Sequence, residues 1–145
     1  MRIGFPTFVF WNYFPFEHDR SFAMLTVDEV ARHFALKPDS IRRHIRKGTL
    51  DAVRMNHQFR LDWPAVWACE DGPFPRGRGL DRYKMPLWTK RDLAARTRVS
   101  TRTVERWIEE GLPTRNAFGR VRINPHDAAD WLRGRFGIDP GDIEP

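Results

Sequence analysis

The sequence predicts a mainly α fold with small β-hairpin wings, organised as two related modules in tandem. Three observations lead there. The length, 145 residues and 17.2 kDa, leaves room for one mid-sized domain or two small ones. The basic charge falls in two segments of similar length, 25–69 at +3 and 88–136 at +5, separated by 70–87 with Gly72, Pro73, Pro75, Gly77, Gly79 and Pro86. The two segments also repeat each other. Sliding the chain by 63 residues lays 25–48 on 88–111 without a gap, so that Thr26 meets Thr89, Val30 meets Leu93, Ile41 meets Val104, Arg43 meets Arg106 and Gly48 meets Gly111. An internal repeat of this length is one supersecondary unit used twice.

Each unit reads in the same order. Thr26 with Glu29, and Thr89 with Asp92, form capping boxes in which the hydroxyl and the carboxylate satisfy backbone N–H groups at a helix start. Val27, Val30, Ala31 and Phe34 follow at helical spacing, and Leu93 and Ala94 repeat them. After a break near 35–37 and 97–98, Pro38 suits the first turn of a second helix and Ser100 its N-cap. That helix places Ile41, His44 and Ile45, or Val104, Trp107 and Ile108, toward a core and ends near a glycine, Gly48 or Gly111. Two short helices with a tight connection make a helix-turn-helix. A period-two hairpin comes next, 52–55 with 59–61 in the first copy and 113–118 with 120–123 in the second. A closing helix, 63–69 or 125–133, brings Trp67 or Trp131 over the core. The segment 70–87 reads as a linker; at about 3.3 Å per residue its 18 residues reach roughly 60 Å. The aromatic segment 1–24 and the acidic tail 137–145 flank the two modules.

Composition narrows the function. Hydrophobic residues make up 41% and charged residues 30%, a globular balance. Of 25 cationic residues 21 are arginine, the net charge is +6 and the pI is near 10.2, which favours a polyanionic partner. The single cysteine, Cys69, excludes a disulfide framework and a thiolate zinc cluster and is expected to be an inert thiol. His18, His33, His44, His57 and His126 stand at no metal-ligand spacing, and neither a Gly-rich phosphate loop nor a catalytic carboxylate pair is present. Neither an enzyme nor a cofactor is expected. No apolar run is long enough for a membrane span. Pro6, Asn12 and Pro15 break the aromatic start, which does not read as a signal peptide, so the expected compartment is the cytoplasm.

The run Val99-Ser100-Thr101-Arg102-Thr103-Val104-Glu105-Arg106-Trp107-Ile108, followed by Gly111-Leu112-Pro113 and Gly119-Arg120-Val121-Arg122-Ile123, resembles the excisionase and MerR-type winged helix-turn-helix family. The first copy is similar, with His44 in place of the tryptophan and Thr49-Leu50 in place of Leu-Pro. The resemblance implies tandem winged helix-turn-helix modules that bind double-stranded DNA, the second helix in the major groove and the wing on the backbone. A transcription regulator, an excisionase-like recombination directionality factor and a small terminase subunit all fit it. A protein-binding anti-activator that reuses the scaffold to sequester another regulator is the alternative from a different class.

Helix geometry then selects candidate contacts. With Ile41, His44 and Ile45 inward, Ser40, Arg43 and Lys47 lie outward, flanked by Arg42 and Arg46. Arg54 and Arg60 on the first hairpin join them. In the second copy the matching residues are Thr103 and Arg106 with Arg102, among Glu105, Glu109 and Glu110, so phosphate contacts are expected from Arg115, Arg120 and Arg122 on its hairpin and from Lys90, Arg91, Arg96 and Arg98. Solvated charge is the plainer reading of every one of these arginines. Eight of the 19 aromatic residues lie in 1–24. Phe8, Phe10, Trp11, Tyr13, Phe14 and Phe16 among them either pack on the modules or form a surface for a protein partner or a second copy.

Overall fold

The computed structural model describes residues 24–137. The aromatic candidates at positions 8–16 and nearly all of the acidic tail lie outside them. The described residues form a mixed α/β protein, six α-helices with small antiparallel sheets.

In the first unit β1 (Leu25–Thr26) leads into α1 (Val27–Phe34) through the expected capping box, Thr26 Oγ1 accepting from the Glu29 N–H and the Glu29 carboxylate accepting from the Thr26 N–H. Helix α1 ends at Ala35, whose φ of 55° is left-handed. Helix α2 (Pro38–Lys47) starts on its proline and ends at Gly48, where φ is 83°. Strands β2 (Val53–Met55) and β3 (Gln58–Leu61) form a hairpin whose two turn residues, Asn56 and His57, both have positive φ. This hairpin contains no glycine, and Asn is the residue that most readily takes that conformation in its place. Strand β3 pairs on its other side with β1, Leu25 opposite Leu61. Helix α3 (Trp63–Trp67), capped by Asp62, closes the unit and is shorter than the expected 63–69.

The second unit repeats this order: α4 (Lys90–Thr97) with its Thr89–Asp92 box, α5 (Thr101–Glu109) capped by Ser100, a hairpin, and α6 (Pro125–Phe136). The repeat extends to backbone detail. Arg98, the counterpart of Ala35, is also left-handed at 57°, and Trp88 bridges Ile123 as Leu25 pairs with Leu61. Each unit has its own core. Val30, Phe34, Ile41, Leu61 and Val66 pack in the first, and Leu93, Val104, Trp107, Ile123 and Leu132 in the second.

The segment 70–87 is not a free linker. Its first residues form β4 (Glu70–Asp71), which pairs with β5 (Asn116–Ala117) of the second hairpin. Its 3-10 turn Leu80–Tyr83 is held by the Trp67 indole N–H, which donates to the Tyr83 carbonyl. Leu87 is buried in the first core and its N–H donates to the His33 carbonyl. These interactions hold the segment against both units, so it is not the freely extensible tether that its composition suggests. Among the described residues no helix is long and apolar enough to cross a membrane.

Candidate nucleic-acid interface

Helix α2 is amphipathic. Ile41 is buried, while Arg43, Arg46 and Lys47 are exposed and Ser40 and Arg42 half-buried. Arg43 leans on Ser40 at 3.5 Å, and Arg42 pairs with Asp39 one turn earlier. Arg43, Arg46 and Lys47 face no carboxylate partner among the described residues, and three adjacent uncompensated cations on one helix face make a positive surface.

The hairpin β2–β3 stands beside α2 and adds two more arginines. Arg54 is exposed and lies 5.6 Å above the Phe59 ring. Arg60 donates to the Phe59 carbonyl and to the Gln58 side-chain oxygen, both at 2.9 Å, which holds its guanidinium in one orientation. Arg42 and Arg46 of the helix and Arg54 and Arg60 of the hairpin line one cleft of about 520 Å³, walled also by Thr26, Asp28 and Phe59.

His44, the half-buried inward residue of α2, stacks on Phe118 of the second hairpin with centroids 3.8 Å apart and planes 10° from parallel. Burial first, then the charges of Lys47, Arg43 and Arg120, hold its pKa below the ordinary histidine value, which favours the neutral ring. Thr49 donates its hydroxyl proton to the His44 carbonyl and accepts from Nδ1, which fixes the tautomer. Phe118 also meets Phe34 edge-on at 5.4 Å. The tip of the second hairpin is therefore seated on the first unit, against the helix that carries the positive face.

That seating corrects two expected contacts. Arg115 and Arg122 are 1% and 7% exposed and are closed to any phosphate. Arg122 donates to the carbonyls of Phe34 at 2.6 Å and Ala35 at 3.1 Å, satisfying orphan acceptors at the end of α1. Arg115 donates through Nε to Glu70 at 2.5 Å and through Nη1 to the Pro73 carbonyl. Glu70 accepts from His33 Nε2 on its other oxygen at 2.7 Å, so one buried carboxylate joins α1 to the second hairpin. A Cβ at Gly72 would meet Arg115 Nη1 at 3.1 Å, a tight approach that a larger residue could make only by shifting the buried guanidinium. Arg120 alone of the three hairpin arginines is exposed.

On α5 the outer face is mixed. Arg102 and Arg106 are exposed, as is Glu109, and Thr103 is half-buried against Ser100. Lys90 pairs with Glu105 at 2.9 Å and holds its carboxyl below the ordinary range, and Arg135 pairs with Glu110 at 2.8 Å. The structure thus gathers Arg42, Arg46, Arg54 and Arg60 round one cleft of the first unit, while Ser40, Arg43 and Lys47 lie elsewhere on the same helix and do not line it. Arg102, Thr103 and Arg106 stand apart on the second. Sequence reasoning missed Glu70, His33 and Phe118 as the residues that join the units, because their partners lie tens of residues away.

Compared with protein-family models, with curated proteins and with solved structures, the chain matches none of them.

Proposed function

We propose that this chain binds double-stranded DNA through its first unit, as a transcription regulator or an excisionase-like architectural factor of the winged helix-turn-helix kind. The observation that carries the reading is helix α2, where Arg43, Arg46 and Lys47 are exposed without carboxylate partners among the described residues and Arg46 lines a cleft with the arginines of the hairpin β2–β3. A helix about 10–12 Å across suits the major groove, and a hairpin beside it suits the flanking backbone. In this reading Arg43 reads a base edge, Arg46 and Lys47 hold phosphates, and the second unit supports α2 through Phe118 and the end of α1 through Arg122.

The second unit favours a different use for its own surface. Phe118 of its hairpin is seated on the first unit, and its α5 carries Glu105 and Glu109 with Glu110 at the C-cap, so that face suits a protein partner better than DNA. The anti-activator reading draws on this unit.

Fluorescence anisotropy with labelled duplexes at several salt concentrations tests the proposal. Saturable binding is expected, weakening steeply with salt as condensed counterions are released. No binding at low salt would leave the protein-partner reading in its place.

A further inference from the structure

The cleft between α2 and the β2–β3 hairpin is more than the edge of a charged face. It is concave, about 520 Å³, and four guanidinium groups line it against the single carboxylate of Asp28. Arg60 is oriented by its two bonds to Phe59 and Gln58, and Arg54 is steadied over the Phe59 ring. Arg42 is tied to Asp39, which does not line the cleft, and Arg46 and Arg54 make no ion pair among the described residues. Four cations crowded into one concavity repel one another until an anion enters. Arg42, Arg54 and Arg60 are each tethered by a contact of their own, so three of the four cations stay in the lining of the cleft.

We infer that this cleft binds a phosphoryl group in its own right. Guanidinium forks match tetrahedral phosphate oxygens with paired N–H donors, and a cavity of this volume takes a ligand the size of pyrophosphate or of a phosphorylated small molecule. Arg46 lines the cleft from the helix and Arg54 from the hairpin, and Arg42 and Arg60 complete its cationic lining. The phosphoryl group comes either from a free phosphorylated ligand or from a nucleic-acid strand. The site shares Arg46 with the duplex-binding face but does not require that reading to hold.

Titrating the full chain calorimetrically with pyrophosphate, at ionic strength held constant with chloride, tests the inference. Saturable one-site binding is expected. The Arg46→Gln/Arg54→Gln variant changes two exposed side chains, so its thermal melt should match the parent while its affinity falls about tenfold or more. The Arg76→Gln/Arg78→Gln variant removes equal charge from the exposed connecting segment and should change affinity by no more than about twofold. The absence of saturable binding, or an equal loss in both variants, overturns the site. A labelled duplex separates the two sources. If pyrophosphate displaces it at fixed ionic strength, the site takes a strand phosphate; if pyrophosphate binds while the duplex stays bound, or if no duplex binds at all, the site takes a free ligand. Loss of duplex binding with pyrophosphate binding intact removes the DNA reading alone.

Discussion

Arg43 and Arg106 occupy the same place in the two copies, yet their surroundings differ. Arg43 stands among Arg42, Arg46 and Lys47, whereas Arg106 stands between Glu105 and Glu109 in a unit whose hairpin seats Phe118 on His44 of the first. Arg43→Ala should therefore cost about 1–3 kcal/mol on a preferred duplex and relax preference at one base pair, while Arg106→Ala should leave both within error. A selection of bound sequences for each variant measures this. Cys69 gives a second prediction. Burial, then the charges of Asp51 and Glu70, push its thiol up to about 11, and the thiol donates to the Thr49 carbonyl. Alkylation should be slow at pH 8 and accelerate as the pH rises toward 11; a rate that levels off near pH 8.5 would contradict the burial. At this scale the sequence revealed the outward set on α2, because helical spacing places Arg43 and Lys47 opposite Ile41 and Ile45. It did not separate Arg115 and Arg122 from Arg120, since alternation along a strand shows which residues share a face but not what covers that face.

Among the elements, the second hairpin departs most from expectation. Its residues alternate basic and apolar as an exposed wing would, but β5 pairs with β4 and Phe118 fills the space between Phe34 and His44. Phe118→Ala removes both ring contacts and should destabilise the protein by about 1–3 kcal/mol, as truncation of a partly buried aromatic does. Because His44 belongs to α2, the same change should also weaken duplex binding, although Phe118 itself touches no DNA when α2 is the reading helix. Chemical denaturation and anisotropy on one preparation report both effects; unchanged stability would mean that the tip is not seated. The helices, by contrast, are legible almost to the residue, since Thr26–Glu29, Thr89–Asp92, Pro38, Ser100 and Gly48 are local signals. The pairing of Glu70–Asp71 with the second hairpin is not local, and a stretch rich in Gly and Pro gives the same composition whether it hangs free or is held down.

For the whole molecule, the repeat points to two units but not to their union. Glu70 accepts from both His33 and Arg115 in the interior, Arg122 caps α1 from the other unit, and Leu87 and Ala117 enter the first core. Glu70→Gln would leave Arg115 buried beside a neutral amide, and breaking such a pair costs about 3–5 kcal/mol. The parent should unfold in one cooperative transition, and Glu70→Gln should lower its midpoint or split it into two. Two independent transitions in the parent would mean that the units are merely tethered. Under the proposed reading a fused body with one cationic helix face and one mixed face would act as a single reading head, and the central question is which face would hold DNA. The slope of log affinity against log salt decides this. Replacing Arg43, Arg46 and Lys47 together by Gln should reduce that slope by about 2, near 0.9 for each of the two phosphates no longer neutralised by Arg46 and Lys47, while replacing Arg102 and Arg106 by Gln should leave it unchanged. An equal reduction from the second pair, or an unchanged slope in the first set, would contradict the assignment of DNA to the first unit.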